Sequence, residues 1–314
     1  MTLKTNLFEV GFILTTKNTN MKNIKYIMFV IGLCILTTKS IAQQDFHFSL
    51  YKYSMNAINP AYAGTNEKFE ALVSVRSQWT GIEGSPEILN FNTNTYLGRG
   101  LGIGFNVISD KIFVQSETHT YADFSYRIPL SKNTDLFAGI KVGGTFLNVD
   151  TDKLEIDDDP LLSENVNTFN PNFGVGFYIK AENYHIHLSS PAFLKNRRLK
   201  GEKVSFATTS DKIHVFLGGG YGYFFRNRAW VFTPSVMMKM VSGSPISVDV
   251  TTAFQFREQM EFGMNYRVDE SFTGFITTNI LKNKMKIGYA FEYATTPIQK
   301  YGGTSHELVL KFTL

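Results

Sequence analysis

Three groups of residues in this 314-residue sequence have types and spacing that could support binding chemistry. An acidic run at positions 150–159 offers the carboxylate oxygens that calcium prefers as ligands. A basic cluster at positions 195–203 offers cations that bind phosphate groups or an acidic partner. His185 and His187 alternate in a strand pattern, so they share one face and could hold a metal if a third ligand lay opposite.

Each of these groups also has a simpler interpretation, which we favour. The acidic run lacks the ligand spacing and central glycine of an EF-hand, so we expect a solvated loop and leave calcium binding open. The basic cluster is expected to be solvated too, and nothing identifies a third ligand for the histidines. The sequence contains no nucleophile elbow and no phosphate-binding glycine loop before a helix. It therefore predicts no enzyme and no catalytic, cofactor or metal site.

The first 42 residues have the pattern of a targeting segment. Two lysines precede an apolar run from Tyr26 to Leu36, and the small residues Ser40 and Ala42 follow it. This order predicts a secretory signal cleaved after Ala42, with Met21 as the translation start and residues 1–20 as an upstream extension. A single membrane anchor is the alternative, but the run is shorter than the roughly 20 residues that a spanning helix needs.

Removal of residues 1–42 changes the charge and the chemistry of the chain. It takes away five of the 31 basic residues and one of the 27 acidic ones, which leaves 26 of each. It also removes Cys34, the single cysteine. The exported chain is therefore neutral, and no nucleic-acid partner is predicted. Disulfides, thiolate metal sites and a cysteine nucleophile are excluded.

The mature chain alternates between apolar and polar residues from Ala71 onward. Leu101, Ile103 and Phe105, for example, are separated by glycines, and a period of two is typical of strands. Aromatic residues make up 14% of the sequence, which also favours strands. The pattern predicts about fourteen strand segments, at approximately 71–79, 87–97, 100–109, 117–129, 133–147, 171–180, 184–190, 213–224, 228–240, 245–256, 259–267, 271–279, 284–293 and 305–314.

The polar face and the connections between segments indicate a barrel. The polar face carries Asn, Gly, Arg and Asp, which suits a wet lumen better than the core of a sandwich. Tight turns such as Gly98-Arg99 alternate with longer connections, of which 148–170, 191–212 and 294–304 are the largest. We therefore predict an all-β fold, a 14-stranded antiparallel transmembrane β-barrel in the outer membrane, with its tight turns in the periplasm. A soluble exported β protein is the alternative.

Four motifs lie along residues 43–314. They are the segment 43–64 that ends in Asn-Pro-Ala-Tyr-Ala-Gly, then Arg76-x-Gln78-Trp79 with Gly84-x-Pro86, then Asn170 to Phe177, and finally Ser305-His306-Glu307. Together they resemble the motifs of one known family, PorP/SprF, over essentially all of residues 43–314. Mild departures from the family pattern are His47 and the terminal Leu314.

The resemblance implies an outer-membrane β-barrel protein of Bacteroidetes that is associated with the type IX secretion system and, in some members, with gliding motility. The partners it implies are a component of the periplasmic secretion ring or a cognate secreted surface adhesin, together with outer-membrane lipid. The residues alone leave open a second function, an outer-membrane pore or a transporter of small hydrophobic molecules.

The predicted organisation is a signal region at 1–42, an N-terminal plug or tether at 43–70 and the barrel at 71–314. The 43–70 segment precedes the first strand, so we expect it to fold into the lumen or lie beneath it. Our candidates for the plug or for a partner-facing element are Asn59, Pro60, Tyr62 and Gly64, joined by the motif residues Arg76, Gln78 and Trp79.

Overall fold

The computed structural model describes most of the region predicted to be the mature chain, namely residues 48–151, 166–194, 212–226 and 229–314. Within these ranges, no helix is long and apolar enough to cross a membrane. The predicted signal, the acidic residues after Thr151 and the basic cluster at 195–203 lie outside the described residues. The described helices are α1 (Met55–Ile58), a 3₁₀ helix (Pro60–Tyr62) and α2 (Gln299–Gly302).

The described strands form one antiparallel sheet. β8 and β9 are two parts of one barrel strand, interrupted at Gly222, because both pair with β10. The bounds are β1 Glu70–Ser77, β2 Glu87–Gly98, β3 Leu101–Ile112, β4 Gln115–Ser131, β5 Thr134–Val149, β6 Val166–Ala181, β7 Tyr184–Ser190, β8 His214–Tyr221, β9 Tyr223–Phe224, β10 Trp230–Val241, β11 Ser247–Phe256, β12 Met260–Arg267, β13 Ser271–Ile280, β14 Met285–Ala294 and β15 Thr304–Thr313.

The sheet closes on itself. The first strand β1 pairs with the last strand β15, from Glu70 opposite Thr313 to Ser77 opposite His306. β10 pairs with β8 on one side and with β11 on the other, which completes the circle. The prediction of a closed 14-stranded antiparallel barrel is therefore confirmed.

The polarity of the barrel wall is inverted relative to a water-soluble protein. In β1, Val73 and Val75 are 39% and 50% exposed, whereas Ser74 and Arg76 are each 1% exposed. The same alternation places apolar side chains on the outside of the other strands. An outward apolar band is stable only where the surrounding solvent is lipid, so the wall is membrane-spanning.

The two ends of the barrel differ, although less strictly than the sequence predicts. β1 begins and β15 ends at the end that carries the tight turns. The other end carries long connections at 78–86 and 295–303, but 113–114 and 268–270 at this end are also short. Phe113 and Asp269 have φ values of 51° and 59°, the left-handed conformation that closes such tight turns. We call the two ends the tight-turn end and the loop end.

Residues 48–66 pass through the interior of the barrel, and we call them the plug. They contact more than one strand of the wall. The Tyr51 hydroxyl lies 3.4 Å from Ser235 Oγ in β10, and Lys180 Nζ in β6 donates to the carbonyl of Thr65 at 2.8 Å. Lumen-facing polar residues such as Asn90, expected to be wet, are consequently buried against the plug.

Candidate functional site: the lumen plug and its vestibule

Asn59 fixes the turn between the two helical pieces of the plug. Its Oδ1 accepts a hydrogen bond from the N–H of Ala61 at 3.0 Å, and Pro60 begins the 3₁₀ helix. A side-chain oxygen that caps free N–H groups, followed by a proline, favours the start of a helical turn. Asn59 Nδ2 also donates to the carbonyl of Phe177 at 3.1 Å. The Asn-Pro pair therefore sets both the turn and its attachment to β6.

Close approach of the plug to the wall depends on glycines. A Cβ built on Gly139 would clash with the plug backbone, and one built on Gly176 would clash with the side chain of Asn59. Within the plug, Gly64 has a φ of 73°, which favours glycine, and its N–H donates to Asn94 Oδ1 at 3.1 Å. Glycines of the alternating strands thus provide room for the plug.

A buried ionic network joins the start of the plug to the wall. Arg76 Nη2 lies 2.9 Å from Glu292 Oε1, and Arg76 Nη1 lies 3.6 Å from Glu307 Oε2. The N–H of Ser49 donates to Glu307 Oε2 at 2.6 Å. Ser49 Oγ accepts a hydrogen bond from Arg76 and donates to Glu292 Oε2 at 3.1 Å. We call Ser49, Arg76, Glu292 and Glu307 the latch, because it ties the plug to β1, β14 and β15.

A second buried ion pair supports α1. Lys141 Nζ lies 2.8 Å from Asp123 Oδ1, and both side chains are at most 1% exposed. Lys141 Nζ also donates to the carbonyl of Asn56 at 3.2 Å. Asn106 donates to Asp123 and accepts from Asn56 Nδ2 at 3.2 Å. The helix is therefore held by β3, β4 and β5 together.

The remaining family-motif candidates lie next to the latch, toward the loop end. With its amide oxygen turned toward Arg76, Gln78 accepts hydrogen bonds from Nη2 and Nε at 3.1 and 3.2 Å. β1 ends at Ser77, so Trp79 belongs to the following connection rather than to the predicted strand 71–79. The Trp79 N–H donates to Ser305 Oγ at 3.3 Å. Gln78 supports the latch, whereas Trp79 is a partly exposed residue of the rim.

Tyr62 lies in the part of the plug that leads to the tight-turn end. Its ring packs edge-on against Tyr178 with a centroid distance of 5.6 Å, and its hydroxyl accepts from Asn66 Nδ2 at 3.2 Å. Burial raises the pKa of Tyr62, and the carboxylate of Glu70 acts in the same direction. The hydroxyl is therefore protonated at neutral pH. The structure thus groups Asn59, Pro60, Tyr62 and Gly64 in the plug, separate from Arg76 and Gln78 at the latch.

A cavity remains between the plug and the tight-turn end, and we call it the vestibule. Its volume is about 340 Å³. The plug contributes its inner wall through Tyr51, Lys52, Tyr53 and Tyr62. The barrel contributes polar residues from strand ends near the tight turns, including Glu70, Asn279, Asn283, Lys286 and Lys311.

Around the vestibule, the described lysines outnumber the described glutamates, so their charges do not cancel. Lys52 Nζ lies 2.8 and 2.9 Å from the two carboxylate oxygens of Glu261. Lys311 Nζ lies 2.8 Å from Glu70 Oε1. Lys286 has Nζ 5.2 Å from the centre of the Tyr53 ring and forms no ion pair with a described carboxylate. Among these groups, one positive charge is left in excess.

His185 and His187 share one face, as their alternation predicts. Their rings stack with Tyr178 at centroid distances of 5.8 and 6.4 Å. A Cβ at Gly218 would clash with His187, and one at Gly220 with His185, so this glycine run accommodates the two rings. In the described part of the chain, no three His, Cys, Asp or Glu side chains are grouped to hold a metal.

Several buried charged residues of the lumen were not among the sequence candidates. Their positions on the polar face of the strand pattern indicate that they face inward. That pattern contains no information about which residue each one meets across the barrel. They include Asp123, Lys141, Glu292 and Glu307.

The fold and its plug define a class of protein, a transmembrane β-barrel of the outer-membrane type whose lumen holds its own N-terminal segment. No curated protein matches the sequence. The model of the type IX secretion system membrane protein PorP/SprF family matches residues 40–312, and the chain belongs to that family. It is therefore an outer-membrane protein of the type IX secretion family.

Several solved outer-membrane structures have a similar fold. Omp33 of Acinetobacter baumannii is 8% identical with a TM-score of 0.47, over 79% of this chain and 98% of that chain. A FadL homologue of Pseudomonas aeruginosa is 10% identical with a TM-score of 0.48, over 81% and 91%. The toluene transporter TbuX of Ralstonia pickettii is 10% identical with a TM-score of 0.47, also over 81% and 91%.

Proposed function

We propose that this chain is a docking platform of the type IX secretion system. It is held in the outer membrane by its lipid-facing band and binds either a component of the periplasmic secretion ring or a cognate secreted adhesin. The binding is non-covalent, and no catalytic step is part of the function. Membership of the PorP/SprF family supports the assignment to this system.

The plug is the observation that favours docking over conduction. Both buried ionic groups of the wall also bond to the plug, because the Ser49 N–H donates to Glu307 and Lys141 donates to the carbonyl of Asn56. A buried polar group that loses its hydrogen-bond partner costs about 1–3 kcal/mol, so displacement of the plug is unfavourable. A passive pore, the alternative function, requires an aqueous path through this packed interior. The two ends of the barrel are the surfaces that remain available for binding.

The loop end offers a surface to an external partner. α2 lies in the 295–303 connection, where Tyr301 is 77% exposed. Phe113, in the short connection on the far side of 78–86, is 57% exposed. Exposed aromatic side chains are enriched where proteins bind one another. A secreted adhesin would be held at this end.

Co-purification from the native host tests the proposal. An affinity tag is inserted at Gly243, an exposed residue of the 242–246 connection away from Tyr301, and the barrel is extracted in mild detergent after reversible cross-linking. We expect a secretion-ring component or a large secreted adhesin to be recovered in stoichiometric amount. Recovery of the free barrel alone would contradict docking. If the partner is an adhesin, deletion of the gene should lower adhesin display and gliding motility while other cargo is still secreted.

Conductance measurements test the alternative function. The purified wild-type barrel in a planar lipid bilayer is expected to be closed to ions. A stable open channel in the wild-type protein would favour the pore and count against the docking platform.

A further inference from the structure

The tight-turn end is basic as well as recessed. The vestibule opens at this end, and exposed turn residues surround it. In the described parts of these turns, the acidic residues are Glu182 and Glu258. The basic residues outnumber them and are Arg99, Lys132, Arg226, Arg257, Lys282 and Lys284. Such a rim attracts anionic groups to the mouth of the vestibule.

We propose that the vestibule binds the C-terminal carboxylate of a periplasmic partner chain, with Lys286 as the residue that pairs with it. This inference rests on the proposed docking function and adds the chemistry of the contact. It assigns the tight-turn end to a protein partner and leaves the loop end free.

The shape of the vestibule favours a chain terminus. The plug residues Tyr51, Tyr53 and Tyr62 line its inner side, so an entering segment meets the plug there. Its volume of about 340 Å³ is at the lower end of the range for ligand pockets, about 300–1,000 Å³. A space of this size takes the last residues of a chain more readily than the middle of a folded surface.

The charge of the vestibule favours a carboxylate. Lys52 and Lys311 are already paired with Glu261 and Glu70 at 2.8 Å, whereas Lys286 lies over the Tyr53 ring and pairs with no described carboxylate. A carboxylate would gain a charge-assisted hydrogen bond from Lys286 without displacing either existing ion pair.

The tyrosines favour a peptide. Their rings offer rigid apolar surface and their hydroxyl groups offer hydrogen bonds, a combination that is frequent in peptide-binding and protein-binding surfaces. Burial raises the pKa of Tyr53 well above its ordinary value, with Glu261 acting in the same direction, so its hydroxyl is protonated. Lys286 lies on the lumen side of β14, because its neighbour Ile287 is exposed on the lipid side. A lipid headgroup would meet the rim residue Lys284 before Lys286.

Fluorescence polarisation with a matched pair of peptides tests this inference. The probe is a fluorescein-labelled Gly-Ser-Gly-Ser-Gly-Phe peptide with a free C-terminal carboxylate, and its partner is the same peptide as a C-terminal amide. The protein is the full barrel in nanodiscs of zwitterionic phosphatidylcholine. We expect the acid to bind about tenfold to a hundredfold more tightly than the amide, the range for a hydrogen bond between charged groups.

Two charge-neutralising variants test whether Lys286 is the residue that binds the carboxylate. Lys286→Gln is expected to remove the difference between acid and amide, whereas Lys284→Gln, two residues away on the exposed turn, is expected to preserve it. Both variants should retain the folded barrel's mobility on unboiled gels. Equal binding of the two peptides up to millimolar concentration would overturn the inference, and so would an undiminished preference in Lys286→Gln.

Three further outcomes separate the possible failures. If phosphatidylglycerol in the nanodiscs abolishes peptide binding and Lys284→Gln restores it, the basic rim binds lipid and the inference is wrong. If the Lys286→Gln barrel co-purifies with the same host partner as the wild type, the inference is wrong while the docking function stands. If the wild type recovers no partner, the docking function itself is wrong.

Discussion

Ser49 in the plug donates its N–H to Glu307 Oε2 in the last strand at 2.6 Å, although 258 positions separate the two residues. The same carboxylate lies 3.6 Å from Arg76 in the first strand. One glutamate therefore contacts the plug and both strands of the closing pair β1–β15. The position of the plug and the closure of the barrel depend on a shared group of charges.

Arg76→Met should destabilise the barrel strongly. The change leaves Glu292 and Glu307 buried without their cation, which costs about 3–5 kcal/mol. Urea-dependent unfolding from lipid vesicles measures the free energy. The control is Arg127→Met, which breaks ion pairs with Glu67 and Asp135 near the surface and should cost less than about 1 kcal/mol.

A combined variant tests why Arg76→Met loses stability. Adding Glu292→Gln and Glu307→Gln to Arg76→Met removes the uncompensated charges, so part of the stability should return. If the triple variant is as unstable as Arg76→Met alone, packing of the arginine side chain rather than charge accounts for the effect.

Gly139→Val should displace the plug. Any side chain at Gly139 would meet the plug backbone, and valine cannot turn away from it. We expect ion conductance in planar bilayers where the wild type is closed. Gly274→Val is the matched control, because a Cβ at Gly274 has no neighbour within 4 Å. A closed Gly139→Val barrel with native stability would show that the plug does not depend on this contact.

Cysteine labelling should determine the orientation of the barrel. The predicted mature chain has no cysteine, so any labelling comes from the single cysteine that is introduced. Tyr301→Cys at the loop end should react with a membrane-impermeant maleimide on intact cells. Lys132→Cys at the tight-turn end should react only after the outer membrane is permeabilised. The reverse pattern would place the tight turns outside the cell.

Ile276→Lys should impair insertion into the membrane. Ile276 lies in the middle of β13 and is 46% exposed on the apolar outer face. A lysine near the bilayer midplane of a barrel costs about 2–4 kcal/mol. The folding yield and the free energy of unfolding in lipid vesicles measure this cost. Tyr301→Lys, in the exposed loop, should leave both unchanged, and an equally mild effect at position 276 would place that face away from lipid.

The wall of the barrel could be predicted from the sequence because the alternation that defines a strand is a pattern of neighbouring residues. The alternation of Val73, Ser74, Val75 and Arg76 indicates which residues face lipid and which face inward. Closure is then expected because unpaired strand edges are unstable in lipid. Strand ends were less accurate where alternation fades. β6 begins at Val166 rather than at about 171, since polar residues there pair with β5.

The interior could not be predicted in the same way. The contact between Asn56 and Asn106 joins positions 50 residues apart, and the contact between Arg76 and Glu292 joins positions 216 apart. Strand periodicity contains no information about such pairs, because they depend on the position of the plug inside the wall and on the alignment of strands that are not adjacent in the sheet. The Asn-Pro turn and the family motifs identified the segment, but its partners required the structure.

The placement of the latch on β1, β14 and β15 has a consequence for biogenesis. Glu292 and Glu307 lie on the β14–β15 hairpin, so the full latch forms only when β15 pairs with β1. An intermediate in which β1 and β15 are still apart would lack these contacts to Ser49. Docking of the plug and closure of the barrel are therefore expected to be coupled steps of assembly.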